Sequence, residues 1–433
     1  MIVRKFIQWS DNAPASARAD GVGALARAYL YGEMTAEERV ETEYTLFALI
    51  DDPSPLVRRA LAESFASAAE APPAIVMALA GDQSDISALV LSRSPLLSDA
   101  QLIDCAAIGD SAAQAAIALR PDLSAAVSAA LAEIASREAL IALAVNEGAN
   151  LPDFAMRRMI ERFGQDGELR EALLGRAWLP GVVRAALADA TARQLADLAV
   201  ERNWLARARS QRILQDSRDR ATMIIAAGCA DYSEETAALA AYLRVSGQLT
   251  AGLALRALLC GQTGLFEATL VELTGIAPRR IAGLVKDPAS SGFAAVYAKA
   301  GLPPALLIAF RAALAALART VQDEAEEGAL RLQVIQAVLA HCIARSDESL
   351  DRLVALLRRF EADAAIEQGK RGMASMKSKA QAAPAPVEPV LAKEDAAAAE
   401  AAPVVAAVEP YRPDEDLEVF IDLDALEKEL LAA

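Results

Sequence analysis

A single histidine, His341, limits the chemistry open to this chain. A Ser-His-Asp or Cys-His arrangement would have to use it, and its neighbour Cys342 points about 100° away around the same helix. His341 therefore reads as a partly buried helical histidine. The four cysteines, Cys105, Cys229, Cys260 and Cys342, make no Cys-x-x-Cys pair and have no histidine-rich neighbour. They read as small apolar side chains of a reducing compartment, and no metal site is expected. Gly21-Val22-Gly23-Ala24-Leu25-Ala26 echoes a dinucleotide-binding turn, but no strand precedes it and no alternating strand and helix pattern follows. It reads as a helix start behind a flexible N-terminus. There is no Gly-x-x-x-x-Gly-Lys-Ser/Thr loop and no Gly-x-Ser-x-Gly elbow, so no catalytic residue and no cofactor is expected. A site of acids alone between helices is the enzymatic arrangement that the sequence leaves open.

Two groups of residues point to binding instead. Arg202, Arg207, Arg209, Arg212, Arg218 and Arg220 crowd one segment, with Trp178 and Trp204 close in sequence and Glu201, Asp216 and Asp219 diluting the charge. On a stack of helices this set could be a solvated, salt-bridged face, a site for an acidic partner, or a groove for a nucleic-acid backbone. Arg202, Arg209, Arg212 and Arg220 are the candidates for that basic face. The net charge of −16 argues against broad attraction to nucleic acid while leaving room for a local patch. The second group lies at the other end, where Leu417, Val419, Phe420, Ile421, Leu423, Leu426 and Leu430 alternate with acids between Asp414 and Ala433. Val419, Leu423, Leu426 and Leu430 share one helical face, the pattern of a docking helix.

The elements that must hold these groups follow from composition. Hydrophobic residues make up 54% of the chain and aromatics only 5%, so the apolar content is mainly Ala and Leu, which favour helices over strands. Helix starts recur throughout: capping boxes at Thr35 with Glu38 and Ser98 with Gln101, Ser54 before Pro55, then Asp122, Ser136, Asp153, Pro180, Thr191 and Ser233. Asp52, Asp82 and Asp110 precede short apolar helices at spacings of 30 and 28 residues, and Asn150 and Pro180 continue the series irregularly. The best unit runs Asp52-Pro53-Ser54-Pro55-Leu56-Val57-Arg58-Arg59-Ala60-Leu61-Ala62 and is similar to the second helix of a HEAT-type repeat. Leu56, Val57, Ala60 and Leu61 make its apolar stripe, leaving Arg58 and Arg59 to face solvent or cap a neighbouring turn. Helices this short are marginal alone, so stacking is required.

From about Leu205 the expected helices are less regular: Glu234–Val245, Thr250–Leu259, Leu265–Leu273, Pro278–Val285, Pro304–Ala318, Asp323–Ala344 and Glu348–Ile366. Arg256, Gly261, Phe266, Glu267 and Gly275, followed by Gly292-Phe293 and Gly301-Leu302-Pro303, resemble a bacterial family defined as a domain of unknown function with HEAT-like helices. The likeness covers roughly residues 25–360 and is strongest over 250–305. It implies an α-superhelical fold and brings no activity.

Beyond Gln368 the composition turns to Ala, Pro, Glu and Val, a linker signature. From Arg371 to Ala433, six basic and thirteen acidic residues give a net of −7. The expected organisation is therefore an all-α, HEAT-like solenoid: repeats over 1–204, an irregular helical part over 205–366, a disordered linker over 367–413 and an acidic docking segment over 414–433. The expected function is a non-enzymatic scaffold or adaptor for protein partners, with a nucleic-acid binder as the alternative and fold-back of the tail onto the Arg202–Arg220 face as a further option. Arg4 and Lys5 interrupt the apolar start, and no apolar run reaches the roughly 20 residues of a membrane span. The cytoplasm is the expected location.

Overall fold

A computed structural model describes residues 2–10, 12–229, 233–319, 331–344 and 351–382. Among the described residues every regular element is helical, apart from one bridge between Leu123 and Ala149. Two compact units divide the chain, Met1–Met373 and Ala374–Ala433. Of the second, only 374–382 is described, as the end of a helix.

The first twelve helices are short: α1 (Ile2–Ser10), α2 (Ala15–Tyr31), α3 (Ala36–Ala48), α4 (Pro55–Phe65), α5 (Pro73–Ala80), α6 (Ser84–Arg93), α7 (Asp99–Ile108), α8 (Ser111–Ala118), α9 (Ala125–Ile134), α10 (Arg137–Val145), α11 (Asp153–Phe163) and α12 (Gly167–Leu174). One row of them runs α2, α4, α6, α8, α10, α12, each packed on the next; a second row joins α7, α9 and α11. Apolar side chains fill the space between the rows. In α4 the buried stripe is Val57, Leu61 and Phe65, all fully buried, with Ala62. Leu56, expected on that stripe, is 56% exposed. The spacing of four along one face, rather than adjacent pairs, decides which side chains reach the core.

The successive helices of the first row are also linked by polar side chains at the positions where the sequence repeats. Arg18 of α2 holds Asp52, ahead of α4, through two bonds of 2.8 and 3.0 Å. Arg58 of α4 holds Asp82, ahead of α6, at 2.7 and 3.0 Å. Ser84 then donates to Asp110, the N-cap of α8; Ser111 meets Ser136, the N-cap of α10, at 2.7 Å; and Arg137 reaches Asp166, the N-cap of α12. The ladder thus continues through Ser136 and Asp166 rather than through Asn150 and Pro180, because those two precede α11 and α13, which pack on each other and do not belong to this row. Of the two arginines of α4, Arg58 makes the link and Arg59 pairs with Glu63 at the surface. Other arginines reach back to close the carbonyl ends of preceding helices: Arg120 on Leu91 O and Ser94 O, Arg162 on Ala132 O and Ala135 O, Arg176 on Ala144 O and Asn146 O.

Two long helices follow, α13 (Gly181–Glu201) and α14 (Arg207–Ala227), then α15 (Glu234–Val245), α16 (Ala251–Leu259), α17 (Thr263–Thr274), α18 (Pro278–Val285), α19 (Ser291–Lys299), α20 (Leu307–Arg319), α21 (Leu332–Ile343) and α22 (Asp351–Ala382). Residues Val22–Leu187 carry one apolar core and Ala185–Ala364 another. The root of α13 feeds both, and Tyr242 packs against both.

Several local expectations change. Thr191 does not start a helix; it lies inside α13, where its hydroxyl donates to Leu187 O at 2.8 Å. α22 runs past Ile366 to Ala382, through part of the stretch assigned to the linker. Residues 367–382 are rich in Ala, Lys, Met and Gln and contain no proline, which first returns at Pro384. His341 is exposed on α21, while Cys342 beside it is buried. Gly21 and Gly23 sit in the middle of α2, and a Cβ on Gly21 would come within 2.8 Å of the Trp9 ring, so close packing of α1 explains that glycine.

Candidate partner-binding site

α13 and α14 have 21 residues each, about 30 Å of helix. The helices from α4 to α12 have only 8 to 11. The extra length leaves the core: in α13 all buried residues fall between Gly181 and Asp189, and in α14, Ser210 apart, between Thr222 and Ala226. The outer halves form a hairpin closed by a tight turn. Asn203 adopts φ +56°, the left-handed conformation that asparagine tolerates better than most side chains. Its N–H donates to Val200 O at 3.0 Å and that of Trp204 to Ala199 O at 2.9 Å, which satisfies the last carbonyls of α13. Ser210 pins the arms together through a 3.0 Å bond to Ala196 O.

Between the arms lies an apolar groove of about 580 Å³. It exists because the facing side chains are small: Ala188, Ala192, Ala196 and Ala199 from α13 oppose Ser210, Ser217 and Ala221 from α14. Larger apolar groups stand along it, with Leu195 61%, Ile213 46% and Ile224 64% exposed. Trp204 is exposed at the turn. Trp178 is exposed too, but it precedes α13 while Trp204 follows it, so the length of the helix separates the two.

The expected basic face is divided by the structure. Arg202, Arg207, Arg209 and Arg212 are exposed near the tip and make no side-chain hydrogen bond or ion pair among the described residues. Arg218 and Arg220 belong to the root. Arg218 pairs with the buried Asp189, which also takes Arg193. Arg220 contacts Asp216 at 3.0 Å and Asp363 of α22 at 3.1 Å, so it is not part of the free face.

Asp216 is the centre of this root network. Buried Arg256 of α16 donates to it at 2.7 Å, with its guanidinium 5.1 Å from the centroid of the Phe360 ring, and Arg359 stands 3.8 Å away. Burial works against the charged Asp216 carboxylate, but the hydrogen bond and charge of Arg256 outweigh it and hold the group below the usual carboxylate range. Asp219, one turn on, goes the other way: burial pushes it up to about 6, with Gln215 donating to it at 2.8 Å. The network ties α14 to α16 and α22, and so fixes the root of the hairpin.

The residues that carry the family-like pattern are mostly accounted for by folding. Gly261, Gly275 and Gly301 have φ of +77°, +68° and +70° and end α16, α17 and α19. Phe266, Phe293, Tyr297 and Phe310 pack as one aromatic cluster, ring centroids 5.2 to 6.3 Å apart, and the Tyr297 hydroxyl donates to Pro303 O at 2.8 Å. Arg256 is the exception, a buried charge that reaches the hairpin root.

Leu417, Phe420, Ile421, Leu423, Leu426 and Leu430 lie outside the described residues. The groove itself was not foreseen in the sequence. Its signal is present there: Leu187, Leu195 and Leu198 on α13, with Ile213 and Ile224 on α14, continue an apolar stripe farther than a helix of the stack needs. No helix among the described residues is long and apolar enough to cross a membrane.

A family model described as an uncharacterised protein conserved in bacteria (DUF2336) matches residues 86–346, from α6 through α21, the hairpin and the glycine-ended helices included. No curated protein and no solved structure matches the chain. With more than half of its length in that match, the chain belongs to the DUF2336 family of bacteria.

Proposed function

We propose that this protein is a non-enzymatic scaffold or adaptor of HEAT-like helical pairs that docks a partner protein on the α13–α14 hairpin. One observation carries the reading: an apolar groove opens between the arms of the hairpin, and four exposed arginines near the hairpin tip are engaged by nothing among the described residues. Exposed apolar surface of this size, with a charged rim, is the composition of an interaction site. The partner that fits is an acidic amphipathic helix, apolar residues in the groove and carboxylates on Arg202, Arg207, Arg209 and Arg212. Four free cysteines support a reducing, cytoplasmic setting.

The test compares affinity purifications from the native cell with wild type, with a Leu195→Asp, Ile213→Asp variant and with a chain ending at Ala382. The groove variant is expected to lose a discrete set of proteins that wild type recovers. Recovery of the same set would end the proposal. Proteins lost only on truncation would be partners of the acidic tail instead.

A nucleic-acid backbone is the second reading, favoured by the same four arginines beside Trp204. With Arg218 and Arg220 neutralised by aspartates, it predicts a slope of about −4 or shallower in log affinity against log salt. Absence of DNA or RNA binding at low salt removes it.

A further inference from the structure

A second concavity lies where the two cores meet, between α11, α13 and α15. It measures about 360 Å³, and its lining is evenly divided between polar and apolar surface where that of the hairpin groove is mostly apolar. Arg157, Arg162 and Arg193 line it together with Tyr242, Gln165 and Ser246, while Ile160, Ala186 and Val245 supply an apolar wall.

The charges do not cancel. Glu161 faces the cavity but is engaged by Arg158 at 3.1 Å. Asp189 faces it too and is held by both Arg218 and Arg193. Arg162 directs its two terminal nitrogens to the carbonyls of Ala132 and Ala135 at 2.9 and 2.8 Å. Arg157 is left over. Its guanidinium makes no hydrogen bond or ion pair among the described residues, and its Nε is buried without an acceptor. A buried N–H left without an acceptor costs free energy, and an anion in the cavity would supply one. The Tyr242 hydroxyl, half-buried in the same cavity and likewise without a hydrogen bond among the described residues, is a second donor for that anion.

We propose that this cavity binds a small phosphate-bearing molecule of about mononucleotide size, its phosphate on Arg157 and Tyr242 and its apolar part against Ile160 and Val245. The volume lies within the range of small-ligand pockets, and a concave site of this size favours a compact ligand over an extended chain. Arginine is the side chain best matched to a phosphate, since its planar fork presents parallel donors. Because α11 belongs to the first core, α15 to the second and α13 to both, an occupant would touch elements of each.

The experiment is isothermal titration of the full chain with AMP, pyrophosphate and inorganic phosphate. AMP is expected to bind saturably and at least ten-fold more tightly than inorganic phosphate. Arg157→Gln is expected to weaken AMP at least ten-fold while leaving the unfolding temperature of the unliganded protein within a degree or two, since Arg157 makes no bond that the substitution would break. Arg93→Gln, exposed at the end of α6, is expected to bind AMP as wild type does. Failure of all three probes to bind, equal binding by Arg157→Gln, or equal loss in Arg93→Gln overturns the proposal. None of these outcomes bears on the hairpin groove, whose lining includes neither Arg157 nor Arg93.

Discussion

The stack of α2–α12 and the α13–α14 hairpin use the same residue type to opposite ends. In the stack, Arg18, Arg58, Arg120, Arg137, Arg162 and Arg176 reach from one helical pair to another and end on a carboxylate or a helix carbonyl. At the hairpin tip, Arg202, Arg207, Arg209 and Arg212 end on nothing among the described residues. Alanine behaves likewise. Ala62, Ala106 and Ala132 are buried and let helices approach closely, whereas Ala188, Ala192 and Ala196 leave a hollow open to solvent. Residue type alone therefore does not announce a binding surface; what matters is whether a neighbouring element arrives to use the residue.

The strongest way to break that contrast is at the hairpin root. Arg256→Ala should cost roughly 3–5 kcal/mol in urea unfolding, because it leaves Asp216 partly buried beside a vacated site. A cost under 1 kcal/mol would mean that the network does not anchor the hairpin. In the stack, Leu131→Ala should cost about 2–5 kcal/mol, and the matched change Leu195→Ala in the groove about 0.5 kcal/mol or less. Equal costs would place the groove in the core and remove it as a docking surface.

Acid sharpens the same comparison. The Asp219 carboxyl is raised to about 6 in the folded protein, so the unfolded chain loses its proton first as pH climbs from about 4 to 6, and stability falls across that window. Asp219→Asn should therefore stabilise the protein by about 2 kcal/mol at pH 8 and by almost nothing at pH 4. An equal effect at both values would show that charge is not the cause. Asp82 works in reverse: the hydrogen bond from Arg58 lowers it, and what it contributes is present above the unfolded-state pKa and lost as pH falls through the folded one. Among the arginines, Arg58→Ala should lose about 1 kcal/mol and Arg209→Ala, smallest of all, no more than a few tenths, measured by chemical unfolding.

The helices were legible wherever a local rule sufficed. The capping boxes at Thr35 and Ser98 form as their spacing implies, and α15 and α18 keep the limits read from Ser233 and Pro278. The Asp52, Asp82 and Asp110 spacing was visible, but not the arginine or serine from the preceding helix that each aspartate receives, since that contact spans more than 20 residues. Thr191 misled because threonine serves equally as a cap and as a mid-helix donor to the carbonyl four residues back. Starting a new helix there hid the 21-residue length of α13, and with it the hairpin. The basic segment was recognised, yet its division between tip and root depends on Asp189, Asp216 and Asp363, which only the fold brings near.

The turn at Asn203 lies outside both cores, which gives the hairpin tip a particular freedom over evolutionary time. Between Leu195 and Leu214, Ser210 is the sole buried position in either arm. Related chains could therefore rewrite the groove and its rim, and with them, on the function proposed above, the choice of partner, while the helices beneath keep their sequence.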